Sequence, residues 1–409
     1  MARIIMHLDM DSYFASVEQQ ANPSLRGIPI GVTGRPDESS IIVAASREAK
    51  RCGVKSAMPN WEARKICPSL KLVSGRAERY IATTKRFLSI LKGYTPLLEV
   101  FSIDEVFMDI TQEERRYGGA LAMARSIKEE FRAALGEHIT ATIGIAPNKA
   151  FAKLIAKRSK PDGIGQLKSE DIPPLLAEIP IGEVCGIGRR IEERLQRVGI
   201  HTLADLGSTS TDYLKREFGV YGLFLKEIGQ GRDPTPVIPY TTAAPVKSVG
   251  HSKSLPPQLR SFDLALLVLR GLCDKVARRL RKLGYVGRTV YFGFRLGSMG
   301  PHHGKQITLP FSTDDGETIY NACLAIYRKM SIHPESVSQV GISVRNLTDK
   351  VGYSSCLLDE DKRRERLNTA IDRIRDRFGE RAIVTGDSLL FDAIPAHVGG
   401  FSQGEEWEF

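Results

Sequence analysis

Apolar positions in the first 160 residues recur with two different periods, which predict a mixture of strands and helices. Buried or alternating apolar runs, typical of strands, cover residues 4–8, 43–45, 98–110 and 139–145. Helical spacing, with apolar residues three and four apart, covers residues 12–20, 47–51, 59–68, 77–92, 120–135 and 148–159. Such mixing is typical of an α+β sheet domain.

The second half of the chain predicts a helical segment, a linker and a small sheet domain. Residues 181–206 read as a compact helical segment whose turns, 184–188 and 198–200, have the spacing of helix-hairpin-helix turns. Residues 229–245 are rich in Gly, Pro and Thr, lack periodicity and indicate a linker. The pattern then reads strand 246–255, helix 261–283, strands 288–296 and 306–311, helix 314–330 and strand 339–347. This is a β-α-β-β-α-β unit.

Length, cysteine usage and the N-terminus narrow the class of protein. The 409 residues exceed what one hydrophobic core usually organises, so we expect several compact units. The six cysteines form no Cys-x-x-Cys pair, so neither a zinc site nor a disulfide framework is indicated. The first residues lack the features of a secretory signal, and no stretch approaches membrane-spanning length. We therefore expect an intracellular, cytoplasmic protein.

The net charge of +10 is concentrated late in the chain. Residues 246–350 contain 16 basic and 7 acidic residues, a net charge of +9. A surface that follows a phosphate backbone needs such a concentration of positive charge. Charge alone equally allows a solvated basic face with no ligand.

Three acidic residues are the candidates for chemistry. Asp9 follows the first buried strand, and Asp104 and Glu105 lie within the alternating segment 98–110. Carboxylates at the ends of adjacent strands can share two divalent cations, which activate an attacking hydroxyl and stabilise a leaving phosphate. Each acid taken alone is more simply a turn or cap residue.

Seven blocks of residues, several of them around these acids, form a recognisable series along the chain: His7-Leu-Asp-Met-Asp-Ser-Tyr-Phe-Ala-Ser-Val-Glu18, Asn22-Pro-Ser-Leu-Arg-Gly-Ile-Pro29, Gly53-Val-Lys-Ser-Ala-Met-Pro59, Ser102-Ile-Asp-Glu-Val-Phe-Met-Asp109, Gly144-Ile-Ala-Pro-Asn-Lys-Ala-Phe-Ala-Lys153, Lys160-Pro-Asp-Gly163 and Cys185-Gly-Ile-Gly188. In sequence and in order these blocks resemble the Y-family DNA polymerases, in particular the DNA polymerase IV group. The resemblance extends to about residue 350.

The resemblance implies an α+β multidomain fold shaped like a right hand. Its parts would be a palm with inserted fingers (1–165, fingers about 22–76), a helix-hairpin-helix thumb (166–232), a linker (233–245), a DNA-binding little finger domain (246–351) and a C-terminal helix and tail (352–409). The implied activity is template-directed DNA synthesis past lesions, without proofreading, on primer-template DNA with deoxynucleoside triphosphates. A monomer is expected.

The resemblance also assigns residues. Asp9, Asp104, Glu105 and the Met10 carbonyl would hold two Mg²⁺ ions. Phe14 would be the steric gate that excludes a ribose 2′-hydroxyl, although taken alone it is more simply a core residue of an amphipathic helix. The remaining predicted nucleotide contacts are Tyr13, Arg47, Lys50 and Lys160. The family commonly has Tyr and Arg where this chain has Arg47 and Lys50, so the contacts to the β- and γ-phosphates differ here.

DNA contacts are predicted in both halves of the chain. The glycine-rich turn would offer main-chain N–H groups to a phosphate, and the late basic segment would line the duplex. The predicted residues are Gly186, Gly188, Arg189, Lys247, Ser248, His251, Lys253, Arg288 and Arg295. Near the C-terminus, Leu389, Leu390 and Phe391 resemble a sliding-clamp peptide, or pack on their own domain.

Two other classes of function compete with a polymerase. A non-catalytic DNA- or clamp-binding member of the same fold is one, but such proteins typically lose the carboxylates, which are present here. A helix-hairpin-helix nuclease or glycosylase is the other. It explains Gly186, Gly188 and the basic segment but leaves the N-terminal blocks unexplained.

Overall fold

A computed structural model describes residues 3–38, 40–242, 246–297, 300–330, 332, 334–350, 359–379, 382–384 and 386. The described residues up to 242 form one compact unit, called unit 1, and those from 246 onwards form a second, unit 2. Among the described residues, no helix has both the length and the apolar character that crossing a membrane requires.

Unit 1 contains both strands and helices, and its last five helices follow one another with no strand between them. Its strands are β1 (Ile5–Met10), β2 (Ile30–Thr33), β3 (Ile42–Ala45), β4 (Lys71–Ser74), β5 (Leu98–Val100), β6 (Glu105–Asp109), β7 (Ala141–Ala146) and β8 (Ile164–Gln166). Its helices are α1 (Tyr13–Ala21), α2 (Arg47–Arg51), α3 (Asn60–Ile66), α4 (Ala77–Lys92), α5 (Ala120–Leu135), α6 (Lys149–Arg158), α7 (Ile172–Leu175), α8 (Arg189–Gln196), α9 (Leu203–Ser208), α10 (Thr211–Phe218) and α11 (Tyr221–Gly229).

The main sheet of unit 1 has the strand order β5-β6-β1-β7-β8. Strand β1 lies at its centre and is antiparallel to both β6 and β7. Alternate residues of β1 face opposite sides. Met6, Leu8 and Met10 join a core with residues of α1, α4 and α5, whereas Ile5 joins a core with residues of α6. Asp9 has the same phase as Ile5 and therefore faces the α6 side.

A second sheet of three strands, in the order β3-β2-β4, has a small core of its own. This core includes Ile42, Ala49, Val54, Ala63 and Leu70, so that α2 and α3 pack on the sheet. The predicted strand at 43–45 and helix at 47–51 are present, but β2 and β4 were not predicted.

The helices α7 to α11 surround a buried core that includes Leu195, Leu203, Leu214 and Leu225. The predicted helical segment at 181–206 is present, and α10 and α11 extend it beyond the prediction.

After α11 the chain has no helix or strand as far as residue 242, in agreement with its composition, yet it is anchored to unit 1. The carboxylate of Asp233 accepts a hydrogen bond from the N–H of Ala150, at 3.1 Å. The N–H of Tyr240 donates to the carbonyl of Leu98, at 2.7 Å. The division between the two units falls after this anchored segment, inside the predicted linker.

Unit 2 confirms the predicted β-α-β-β-α-β order. Its elements are β9 (Ser248–Ser254), α12 (Phe262–Lys282), β10 (Tyr285–Leu296), β11 (His302–Thr313), α13 (Gly316–Arg328) and β12 (Val337–Asp349). All neighbouring strands are antiparallel, in the order β11-β10-β12-β9. Residues of α12 and α13 share a core with residues of β10 and β12, so one face of the sheet is covered by helices.

A last helix, α14 (Asp359–Phe378), packs on unit 2 through ion pairs. Asp372 contacts Arg281 at 2.6 Å, and Asp376 contacts Arg278 at 2.7 Å. At the other end of the helix, Glu365 contacts Lys350 at 2.9 Å. The predicted helix at 362–378 is therefore present and is held by the cations of α12 and of the end of β12.

The close approach of α6 to the main sheet predicts that Gly144 in β7 tolerates no side chain. A methyl group there would overlap main-chain atoms of Ala152 and Ala156 in α6. We expect Gly144→Ala to lower the free energy of unfolding by about 1–3 kcal/mol, measured by urea denaturation. Gly188→Ala is the control, since its φ is −79° and a Cβ there meets open space. An equal loss in both variants would contradict the packing argument.

Candidate active site

The candidate active site lies at one end of the main sheet, where β1 ends and β6 begins. Because the two strands are antiparallel, Asp9 on β1 is the register partner of Glu105, the first residue of β6. Asp104 precedes Glu105, and its carbonyl accepts a hydrogen bond from the N–H of Met10, at 3.0 Å. The two strands thus bring the three predicted carboxylates to one place.

Each of the three carboxylates has a different partner. Lys160 Nζ lies 2.6 Å from Asp9 Oδ1, and Lys153 Nζ lies 2.7 Å from Glu105 Oε2. The hydroxyl of Ser102 donates to Asp104 Oδ1, at 2.7 Å. With the side chains placed in this way, the described residues contain no group of three or more His, Cys, Asp or Glu side chains positioned to hold a metal ion.

The electrostatics of the site favour a bound cation. Burial raises the pKa of Asp9 to about 7, and the negative charges of Glu105 and Asp104 add to this rise although Lys160 opposes it. Burial also raises the pKa of Asp104, against the Ser102 hydrogen bond. Three carboxylates that repel one another, with oxygen as the only donor atom, fit a hard divalent cation such as Mg²⁺.

Phe14, the predicted sugar gate, is the second residue of α1, which follows β1. Its ring stacks on that of Tyr80, with centroids 4.3 Å apart and planes inclined by 19°. The hydroxyl of Tyr80 donates to Glu18 Oε1 at 3.0 Å, which fixes the ring behind Phe14. Phe14 is only partly buried, so part of its ring remains accessible.

Tyr13, also predicted to contact the nucleotide, has a buried side chain. Its hydroxyl donates to the carbonyl of Tyr80 at 2.8 Å and lies 2.7 Å from the hydroxyl of Thr84. Burial raises the pKa of the Tyr13 phenol, with the Thr84 hydrogen bond opposing the rise. The structure therefore leaves only the main chain of Tyr13 for a nucleotide contact.

The predicted triphosphate cations come from two elements. Arg47 is the first residue of α2, and Lys50 lies one turn further along it. Lys160 lies in the loop between α6 and β8. Partial burial lowers the pKa of Lys50, and the positive charges of Lys160 and Arg47 lower it further. That mutual repulsion means that the three cations share one region.

Two charged residues at this site were not singled out from the sequence. Asp11 is buried and contacts Arg47 at 3.2 Å, and Lys153 pairs with Glu105. Both lie inside blocks that carry the family resemblance, residues 7–18 and 144–153, and this position in the sequence could have marked them as site residues.

The predicted helix-hairpin-helix contacts lie at the start of α8. Gly186 has a positive φ of 101°, and its carbonyl accepts a hydrogen bond from the hydroxyl of Tyr221, at 2.6 Å. Gly188 is the N-terminal cap of α8, and Arg189 follows it with a side chain that is 90% exposed. The Arg189 guanidinium donates to Glu193 Oε1, at 2.8 Å. The turn is open to solvent at its charged end.

The predicted DNA contacts at residues 247–253, on β9 and just before it, differ in exposure. Lys247 and Ser248 are exposed, whereas His251 is partly buried and Lys253 is buried with 6% exposure. His251 and Lys253 have the same phase as the core residue Val249 and point towards the helices. The structure therefore does not place Lys253 on the exposed surface with Lys247.

The two predicted basic residues of β10 have opposite phases: Arg295 faces away from the core residue Phe294, whereas the exposed Arg288 has the phase of the core residue Val290. On β10, Arg288 donates to the carbonyl of Leu309 at 2.7 Å, and Arg295 donates to that of Gly300 at 3.0 Å. Arg345 on β12, not predicted from the sequence, is exposed and lies over the ring of Tyr291 at 5.4 Å.

Comparison with protein families matches three stretches of the chain. Residues 8–157 match the impB/mucB/samB family, residues 169–200 match the IMS family HHH motif, and residues 246–355 match the C-terminal domain of the impB/mucB/samB family. Together the three matches cover well over half of the chain.

Similar proteins cover nearly the whole chain. DNA polymerase IV of Moorella thermoacetica is 36% identical over 397 residues, which are 95% of this chain and 98% of that protein. DNA polymerase IV of Pelotomaculum thermopropionicum is 34% identical, with 97% and 98% covered. Among solved structures, the Y-family DNA polymerase chimera Dbh-Dpo4(243-245)-Dbh has a TM-score of 0.74 and 28% identity, over 85% of this chain and 99% of that chain. These matches confirm the predicted right-hand-like α+β fold, and the chain belongs to the DNA polymerase IV group of the Y-family DNA polymerases.

Proposed function

We infer that this DNA-directed translesion polymerase joins deoxynucleotides to a primer 3′-hydroxyl with the help of two Mg²⁺ ions held by Asp9, Asp104 and Glu105. One observation carries the inference: Asp9 and Glu105 are register partners on adjacent central strands, with Asp104 next to them. When bound, the metal ions would activate the 3′-hydroxyl and neutralise charge on the α-phosphate and the leaving pyrophosphate.

Lys160 would change partners during the reaction cycle. In the structure its ammonium lies 2.6 Å from Asp9 Oδ1. The side chain is 36% exposed and has four rotatable bonds, so rotation alone carries the ammonium away from the carboxylate. Lys160 would then contact the incoming triphosphate, and the Asp9 carboxylate would be free to bind a cation.

Arg47 and Lys50 would contact the same triphosphate from α2. Two charged side chains here replace the family's Tyr and Arg, so this chain brings one more positive charge to the phosphates. Charge-assisted hydrogen bonds from guanidinium to phosphate are among the stronger polar contacts. Binding of the triphosphate would relieve the repulsion that lowers the pKa of Lys50.

The duplex would be held without reading its sequence. The Gly186–Gly188 turn and Arg189 would bind phosphates near the primer terminus, and the exposed basic residues of unit 2 would bind the duplex backbone. Such binding weakens steeply as salt rises because it releases condensed counterions. The clamp contact through Leu389, Leu390 and Phe391 lies outside the described residues and stays a prediction, as does a monomeric state.

We expect Asp104→Ala to lower primer extension with Mg²⁺ by a factor on the order of 10³, because it removes a carboxylate on which charge stabilisation depends. Asp109→Asn is the matched control. It alters the acid at the far end of β6, whose carboxylate accepts hydrogen bonds from Thr111, a role that an amide oxygen also fills. Gel analysis of a labelled primer measures both variants.

The same gels test the lack of proofreading and the nuclease alternative. Without nucleotides, a primer with a mismatched 3′ end should keep its full length, and neither strand should be cut. Shortened primer would contradict the absence of proofreading, and scission within a strand would favour a repair nuclease. Full extension by Asp104→Ala would contradict the catalytic assignment itself.

Phe14→Ala should admit ribonucleotides. Removal of the ring would leave space beside the sugar, because Tyr80 stacks on the Phe14 ring and would not fill the space that the ring occupied. We expect the ratio of ribonucleotide to deoxynucleotide incorporation, measured as a ratio of kcat/KM values, to rise about tenfold to a hundredfold. An unchanged ratio would show that another group selects the sugar.

The raised pKa of Asp9 predicts a pH-dependent stability in the absence of metal. The folded protein holds the Asp9 proton up to about pH 7, whereas the unfolded chain loses it near pH 4. The contribution of Asp9 to stability is thus largest below pH 4 and falls as pH rises to 7. Asp9→Asn does not titrate, so its unfolding temperature relative to the parent, measured in EDTA, should be higher at pH 8 than at pH 5. Equal differences at both values would contradict the raised pKa.

A further inference from the structure

Asp11 is a buried acid beside the active site that the proposed chemistry does not use. It follows β1 directly, and its side chain is only 3% exposed. Its main-chain N–H donates to the carbonyl of Thr140, at 2.9 Å, so its own position is fixed by the strand end. Burial of a carboxylate costs free energy unless hydrogen-bond donors compensate it. The donors to Asp11 therefore show which parts of the structure it holds in place.

Four donors from three parts of unit 1 converge on the Asp11 carboxylate. Oδ1 accepts from the hydroxyl of Thr142 at 2.8 Å. Oδ2 accepts from the hydroxyl of Thr140 at 2.8 Å, from the N–H of Asp162 at 2.9 Å and from Arg47 Nη2 at 3.2 Å. One side chain therefore joins helix α2, the start of β7 and the loop that carries Lys160.

Arg47 is held by only part of its guanidinium. Nη2 contacts Asp11 and the hydroxyl of Thr140. In the part of the chain that the structure describes, Nε and Nη1 have no protein partner, and the side chain is 34% exposed. Contacts to Nη2 thus fix the orientation of the guanidinium, while Nε and Nη1 are available to donate hydrogen bonds to a phosphate.

The loop of residues 160–162 is fixed from two sides. Asp11 accepts from the N–H of Asp162, and Lys128 of α5 contacts the Asp162 carboxylate at 2.7 Å. Lys160, two residues earlier, is then confined to the mouth of the site next to Asp9. The positions of Arg47 and of the loop that carries Lys160 thus both depend on the Asp11 carboxylate.

We propose that Asp11 is the positioning residue of the triphosphate site: it orients Arg47 and fixes the Lys160 loop, so that both cations face the incoming nucleotide in one geometry. The proposal rests on the inferred polymerase function. The electrostatics of Lys50 agree with it, since the Asp11 charge opposes the effect of Lys160 and Arg47 on the Lys50 pKa. Asp11 lies close enough to moderate the repulsion among all three cations.

The chemistry of this chain gives the arrangement a reason. A neutral tyrosine at position 47, as is common in the family, needs no counter-charge. An arginine at that place adds a positive charge next to Lys50 and Lys160, and such a cluster costs stability in the absence of a phosphate ligand. Asp11 neutralises the added charge before the nucleotide arrives and limits the number of conformations that Arg47 explores.

Single-nucleotide insertion kinetics on primer-template DNA test the proposal. Asp11→Asn should raise KM for the deoxynucleoside triphosphate about tenfold to a hundredfold, with a smaller change in kcat and no change in affinity for DNA. In an Arg47→Ala background the same substitution should have a smaller effect on KM, because the two residues act together. Full additivity of the two substitutions would overturn the proposal.

A matched control separates positioning from general destabilisation. Asp233 is also buried and also accepts main-chain and hydroxyl hydrogen bonds, but its donors, Ala150 and Thr235, belong neither to α2 nor to the loop of residues 160–162. Asp233→Asn should lower the unfolding temperature without raising KM. Parallel losses of stability, kcat and DNA affinity in Asp11→Asn would mean a merely structural role. Should Asp11→Asn not fold, Thr140→Val removes the hydroxyl that Arg47 and Asp11 share and should raise KM in the same direction.

Binding without chemistry distinguishes this proposal from the proposed function. The primer ends in a dideoxynucleotide and so cannot be extended. The probe is the deoxynucleoside triphosphate that pairs with the next template base, and its binding to the complex of protein and DNA is measured by fluorescence. A parent protein that binds the probe but extends no normal primer would contradict the catalytic assignment alone. An Asp11→Asn protein that folds and binds the probe as tightly as its parent would overturn the positioning role alone.

Discussion

The antiparallel register of β1 and β6 is the constraint on which the site depends. It sets Asp9 opposite Glu105 and next to Asp104, so that three carboxylates lie at one end of a buried sheet, where burial raises the pKa of Asp9 and of Asp104. A cluster of this kind is stable only with cations nearby, and this chain supplies them through Lys153 on α6 and Lys160 in the next loop. Helix α6 reaches that position because Gly144 lets it lie against β7. The close packing of α6 on β7 is thus what brings the neutralising charge of Lys153 to Glu105.

The acids of the candidate site differ in the cations that neutralise them. Glu105 and Asp9 face the α6 side of the sheet and are neutralised by lysines, while Asp11 lies one step beyond the end of β1 and is neutralised by an arginine. Asp9, which is inferred to hold metal, and Asp11, which holds the side chain of Arg47, are thus only two residues apart. Phe14, the proposed sugar gate, lies three residues after Asp11 and stacks on Tyr80.

Local patterns predicted the long elements well and the short ones poorly. Helices α4 and α5 begin and end where the sequence predicts, because sixteen residues show several turns of periodicity. Strands β2, β4 and β8 have three or four residues, too few to display a period. The anchoring of residues 233–242 depends on hydrogen bonds to distant parts of unit 1, which composition does not encode.

The family resemblance identified the acids, but only the register shows that they meet. The burial of Lys253 has a related explanation: β9 is an edge strand, and an inward-pointing charge there discourages pairing with other chains. Its inward phase can be counted from Val249 along the sequence, and the same counting on β12 would have placed Arg345 on the face opposite the core residue Val344.

The ion pairs of α14 change the meaning of the positive charge in unit 2. Arg278 and Arg281 contribute to the +9 of residues 246–350, yet both are neutralised by acids of the C-terminal helix. The positive charge left for phosphates is therefore smaller than the count suggests. Both sets of contacts weaken with ionic strength. Salt that releases the duplex therefore also loosens α14, and elution from DNA at high salt yields a protein whose C-terminal helix is held less firmly than in the complex.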